Sequence, residues 1–106
     1  MIVVMTKFRI KPEHKEEFRK YAVEKFGEKG LTGQEGFIKM NLLSPVNFPP
    51  AKENSTFIIE TYWESMDMFK KYTESEAFRK AHQNPPPMEW FEGHPAVEIY
   101  EVIKEM

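Results

Sequence analysis

The sequence predicts an α+β domain, a four-stranded antiparallel sheet with helices on one face, and three features of the chain carry that prediction. Stretches of two-residue apolar alternation and stretches of helical spacing follow one another in the order β-α-β-β-α-β. Proline, glycine and asparagine cluster at the junctions between them. Both faces of the third strand are apolar, so the side of the sheet away from the helices needs a cover of its own.

The first strand is MIVVMTKFRI, in which Val4, Thr6, Phe8 and Ile10 share one face and Val3, Met5, Lys7 and Arg9 share the other. Pro12 stops it and opens a helix, because the first turn has no use for the N–H that proline lacks. Glu13, Glu16 and Glu17 suit the positive end of that helix's dipole. Phe18, Tyr21, Ala22, Lys25 and Phe26 then recur at helical spacing, and the helix is expected to end near Gly27 or Gly30.

GFIKMNLLSP, bounded by Gly36 and Pro45, reads as the second strand and STFIIETYWE as the third, with the turn-rich VNFPPAKEN between them. Trp63 ends the third strand, and its indole N–H is expected to reach a carbonyl or an acidic neighbour. Ser65 is placed to cap a short helix whose Met66, Phe69 and Tyr72 point inward, and Ser75 to cap another that carries Phe78, Ala81 and His82. No helix continues through NPPP, and AVEIYEVIKEM closes the domain as the last strand. This is the ferredoxin-like order, with its second helical region broken in two.

At 106 residues, 41% of them hydrophobic, the chain is expected to form a single domain, 1–106, with one core. Seventeen acidic against fifteen basic residues give no reason for a polyanionic partner, so nucleic acid is not expected. The absence of cysteine excludes disulfides, a thiolate nucleophile and cysteine-ligated metal. The apolar run Ile2 to Met5 is too short for a signal peptide or a membrane span, which makes a cytoplasmic protein the expectation. Val3 and Met5 on the second sheet face are best covered by a twofold partner, so a homodimer is expected.

Fifteen aromatic side chains, nine of them Phe, equip so small a domain to build an apolar pocket for a small apolar or aromatic ligand. His82 stands one helical turn beyond Phe78, where it either meets the negative end of the helix dipole or faces a cavity as a ligand. His14 and Glu17 have an i,i+3 spacing that is too common to argue a metal site, and His94 lies in a Gly-Pro loop. The proline-rich NPPPMEWFEGHP, residues 84–95, reads as a lid or a dimer-contact loop.

The stretch ETYWESMDMFKKYTESEAFRKAH, residues 60–82, resembles the signature of the dimeric α+β barrel monooxygenases of the antibiotic-biosynthesis (ABM) type. There a strand ends in Trp and Glu and is followed by a helix and S-x-x-F-x-x-x-H. The nearest branch is similar to the IsdG-like haem-degrading monooxygenases. That resemblance implies a histidine on the haem iron, which falls on His82. A tryptophan pressing on the porphyrin falls on Tyr72, an aromatic match only. An asparagine on the first strand falls on Thr6, or on Lys7 if the register slips by one, and neither residue is asparagine. A threonine hydroxyl reaches less far than an amide, and a tyrosine ring is smaller than an indole and brings a hydroxyl.

Three functions follow as expectations. In the first, haem is cofactor and substrate of a haem-degrading monooxygenase, with catalytic roles for Thr6, Tyr72 and His82, walls from Phe69 and Phe78, Arg79 near the propionates, and an external electron donor. In the second, no cofactor is needed, and the same three residues orient or deprotonate a phenol or quinol that itself reduces oxygen. In the third, the chain is a non-enzymatic dimeric module that binds a small ligand.

Overall fold

The computed structural model describes residues 1–26 and 30–106. The order of elements is the one expected. Strand β1 covers Ile2–Arg9, and a 3-10 turn at Pro12–His14 leads into helix α1, Lys15–Lys25. Strands β2, Phe37–Leu43, and β3, Thr56–Trp63, come next, followed by the short helices α2, Met66–Thr73, and α3, Glu76–Ala81. A further 3-10 turn at Met88–Trp90 precedes strand β4, Ala96–Glu101. The sheet is antiparallel in the order β2-β3-β1-β4, which is the α+β, ferredoxin-like arrangement.

Local chemistry sets the joints. Ser65 and Ser75 each accept the expected capping bond, from Met68 N at 3.3 Å and Phe78 N at 3.1 Å. Gly36, with φ +81°, turns the chain into β2 where an added Cβ would strike the Met68 side chain, so α2 packs closely only over glycine. The register shifts between Phe37 and Lys39, and Phe37 packs edge-on to Trp63 with ring centres 5.4 Å apart.

Several expectations need correction. Trp63 is fully buried, and its indole donates to the Thr61 hydroxyl at 3.0 Å instead of to a carbonyl or a carboxylate. Met66, expected to point inward, is exposed at the edge of α2. Phe78 is half-buried, because one side of its ring is left to a cavity. The last strand stops at Glu101, and Ile103 and Met106 lie beyond it in the open. Helix α1 ends at Lys25; Gly27 lies outside the described residues, while Gly30 takes a left-handed φ of +90°.

The core is divided. One cluster gathers Val4, Leu31, Trp63 and Tyr72, with Met40, Phe69 and Phe78 against it. The other gathers Ile10, Phe18, Ala22 and Phe57, with Phe8, Phe26, Trp90 and Phe91 against it. Both use the sheet face that carries Val4, Thr6, Phe8 and Ile10. Thr6 and its β3 partner Ile59 fall between the two clusters and belong to neither.

The opposite face belongs to neither cluster. Val3 lies between its partners Tyr62 and Tyr100, and Met5 between Glu60 and Glu98. Lys7 pairs with Glu98 at 2.9 Å, and Glu98 also accepts the Tyr100 hydroxyl at 2.7 Å. Glu60 accepts from Asn41 at 3.3 Å and from Tyr62 at 3.4 Å. The hydrogen bond from Lys7 holds the Glu98 carboxyl below its usual range, and the same bond raises the Lys7 ammonium above its own.

Candidate functional site

The gap between the two core clusters is a cavity of about 1460 Å³. Its floor is the sheet: Val4, Thr6 and Phe8 of β1, Ile59 and Thr61 of β3, and Val97 of β4, the register partner of Thr6. Phe69, Tyr72 and Phe78 from α2 and α3 form one wall, and Phe26 and Phe91 belong to the opposite cluster. This is larger than an ordinary small-molecule pocket and has the mostly apolar lining such pockets share.

The polar side chains stand at defined points. Alternation along β1 puts Thr6 into the cavity and Lys7 on the far face with Glu98, so the strand-one position that faces the site is Thr6. Tyr72 is buried, its ring stacked on Trp63 at 5.2 Å and 28° and edge-on to Phe78 at 5.4 Å and 89°. Burial raises the Tyr72 phenol above its ordinary range, which keeps it a neutral hydroxyl.

His82 caps the end of α3 and lines the cavity from an exposed position. Its Nδ1 lies 2.8 Å from the Phe78 carbonyl oxygen, one turn back. A carbonyl only accepts, so Nδ1 carries a proton, and in the neutral ring the lone pair is then on Nε2. The imidazole lies 4.1 Å from the Phe78 ring, centre to centre. A flat ring with one nitrogen tied and the other available is the donor arrangement that a haem iron or another soft-to-borderline metal takes from histidine.

Of the residues expected at the site, Thr6, Phe69, Tyr72, Phe78 and His82 share this cavity. Arg79 does not line it; its exposed side chain leaves that place to Lys80, which pairs loosely with Glu76 at 3.8 Å. His14 bonds Glu17 at 2.8 Å and lies over Trp90, away from the cavity lining. Among the described residues no group of three or more His, Asp or Glu side chains is placed to hold a metal ion. No helix among them is long and apolar enough to cross a membrane.

For the second half of the lining, sequence reasoning offered only a lid or a dimer contact for residues 84–95 and named none of the side chains as part of a site. Tyr21 lines it and donates its hydroxyl to the Asn84 carbonyl at 2.7 Å, which ties the proline-rich segment to α1. Pro85, Pro86, Met88, Phe91 and His94 of that segment also line it. The helical spacing of Tyr21 from Phe18 was a usable signal for the tyrosine; nothing in the periodicity marked the loop residues.

Comparison with curated proteins finds no significant match. Solved structures do match along the whole chain. MhuD from Mycobacterium tuberculosis, a haem degrader seen with two haems bound in its active site, is 20% identical with a TM-score of 0.74, and the match covers 100% of this chain and 99% of that one. A variant of MhuD with two manganese protoporphyrin IX molecules bound per active site is 19% identical with a TM-score of 0.75, covering 100% and 98%. A conserved protein from Methanosarcina mazei is 20% identical with a TM-score of 0.62, covering 93% and 89%. At such identities the likeness speaks for the fold. Residues 1–84, which run from β1 past the cap at His82, match the profile of the antibiotic biosynthesis monooxygenases, and the chain belongs to that family.

Proposed function

We propose that this chain is a haem-binding monooxygenase of the haem-degrading type, in which Nε2 of His82 would hold the iron. The observation that carries the reading is the bond from His82 Nδ1 to the Phe78 carbonyl, which ties that nitrogen to the helix and leaves Nε2 as the ring nitrogen for a ligand, beside a large apolar cavity. The haem-bound neighbours of the same fold support it.

The lining fits a macrocycle. Phe69, Tyr72 and Phe78 offer flat apolar surface, and Lys25 and Lys80 offer charge for carboxylates, the part that the sequence assigned to Arg79. Bound haem would supply oxygen activation and the oxidisable ring. The chain's own residues would do the rest: His82 orients the ligand, the aromatic wall excludes water, and Thr6 presents a hydroxyl from the floor. Reducing equivalents would come from an external electron donor, and a cytoplasmic setting suits that supply.

We infer a homodimer from the far face of the sheet: Val3 is already covered within the chain, but Met5 stays half-exposed among Lys7, Glu60 and Glu98, and Tyr100 and Leu43 stand exposed on the same face. Haemin titration tests the main reading. A Soret band should appear with the wild type and be lost in His82→Ala, and the wild-type band should decay with ascorbate under oxygen. No band in the wild type would end it.

A second reading has one observation in its favour. The hydroxyls of Thr6 and Tyr72 and the imidazole of His82 line a single, largely apolar cavity, a setting for a phenol or quinol that reduces oxygen without a cofactor. Oxygen uptake with quinols and no haemin spectrum would select it. Tight haemin binding with no turnover would instead select the non-enzymatic module.

A further inference from the structure

The cavity's polar groups can be sorted by what already engages them. The Tyr21 hydroxyl is given to the Asn84 carbonyl, the Thr73 hydroxyl to the Lys70 carbonyl, the Thr61 hydroxyl receives the Trp63 indole, and Nδ1 of His82 is given to the Phe78 carbonyl. Among the described residues lining the cavity, only His82 and His94 are of a type that ordinarily exchanges a proton near neutrality. One of the two has a nitrogen committed to its own helix.

His94 is carried on a fixed turn. Before it, Glu92 N donates to the Arg9 carbonyl at 2.8 Å and Phe91 forms a bridge with Ile10. After it, Ala96 and Val97 pair with Lys7 and Thr6 in the sheet. Gly93 takes φ +85°, and a Cβ there would come within 3.0 Å of the Arg9 guanidinium, so the turn is shaped for glycine. Pro95 limits the backbone of His94 itself. His94 is three positions before Val97, so at most about 10 Å of extended chain separates it from the floor at Thr6.

We propose that His94 is a second working imidazole of this cavity, one that in its protonated form holds an anionic oxygen of the bound ligand. A cavity with mostly apolar walls orients its ligand through a few polar groups, and a charged imidazole holds a carboxylate or phenolate by a charge-assisted hydrogen bond. Facing the same space are Tyr21, Glu24 and Lys25 from α1, Tyr72 from α2, Glu76 and Lys80 from α3, and His82; Arg9 lies beside the turn. Where haemin is the ligand, the inference rests on the function proposed above.

An anion-holding imidazole must be protonated, so a loss of affinity on the alkaline side is the mark of His94.

The test is haemin affinity from about pH 6 to about pH 8, the range in which imidazoles exchange protons. It is measured for the wild type, His94→Gln and His94→Lys, with haemin dimethyl ester as the ligand lacking carboxylates. Wild-type affinity should fall about three- to tenfold toward the alkaline end. His94→Gln should lose that fall, His94→Lys should hold affinity to higher pH, and the ester should show no fall.

An unchanged alkaline fall in folded His94→Gln, or one that survives esterification, overturns the inference. Anilinonaphthalene sulfonate, an anionic fluorophore, separates the two readings. If haemin gives no complex but the fluorophore binds with a His94-dependent alkaline fall, the haem reading fails and the role of His94 stands.

Discussion

Nδ1 of His82 and the carbonyl oxygen of Phe78 lie 2.8 Å apart, and the two rings are 4.1 Å from centre to centre. The carbonyls of a helix's last turn have no partner within the helix. Here a side chain supplies one, so the bond that caps α3 also decides which imidazole nitrogen is tied to the helix. Nitrogen NMR of His82 should show Nδ1 protonated near neutrality. His82→Ala should weaken haemin binding roughly 100-fold or more, since losing even an indirect support of a metal ligand costs 10- to 100-fold. It should lower stability by only about 1 kcal/mol, the net worth of one such bond.

Tyr72 joins the wall of the cavity to the buried Trp63, and its size and its hydroxyl should separate cleanly. Tyr72→Ala should cost about 3–5 kcal/mol in urea unfolding, as for other large rings cut from a core. Tyr72→Phe should be close to neutral at pH 7. Because burial raises the folded-state phenol, the tyrosine's contribution is complete below the ordinary phenol range and is lost as pH rises through the folded value. Alkaline destabilisation should therefore be smaller in Tyr72→Phe than in the wild type.

The hydrogen bond from Tyr21 to Asn84 fastens the start of the proline-rich segment over the cavity. Tyr21→Phe keeps the ring's packing on Phe26 and Trp90 and removes only the hydroxyl. Global stability should fall by about 1 kcal/mol or less. Limited proteolysis within residues 84–95 should accelerate by a larger factor than the change in global stability explains.

On the far face, Glu98 titrates below and Lys7 above their usual values because each bonds the other. The carboxylate's contribution is present above the ordinary carboxyl range and is lost as pH falls through its folded value. The ammonium's contribution is present below the ordinary lysine range and is lost as pH rises through its folded value. Unfolding midpoints across pH should show both limbs in the wild type and flatten in Lys7→Met.

Met5 sits between Glu60 and Glu98, so Met5→Asp would add a third carboxylate to the middle of that face. Sedimentation should find the wild type as a dimer and Met5→Asp as a single subunit. A single subunit for the wild type would remove the twofold partner from the account.

Periodicity made the architecture legible because it reports backbone geometry directly: the alternation in β1 placed Thr6 with Phe8, and Ser65 and Ser75 marked both short helices. The family resemblance of residues 60–82, not their period, brought His82, Tyr72 and Phe78 to one site. Three things were not legible. Residues 84–95 have no period, so the places of His94 and Asn84 depend on long-range bonds such as that from Tyr21. Arg79 and Lys80 are adjacent and chemically alike, and only the phase of a six-residue helix tells which faces the cavity. Trp63 found a hydroxyl two residues back on its own strand, a partner that strand alternation puts on the same side and that the search for a charged or carbonyl acceptor passed over.

The break in the packing at Thr6 and Ile59 leaves two packed clusters, each with its own large aromatic centre, standing on one continuous sheet. Thr6 and Ile59, which border the hollow without joining either cluster, can therefore change in size and chemistry while Trp63 on one side and Phe18 on the other keep their neighbours. Selection could retune what such a protein accepts without having to rebuild what keeps it folded.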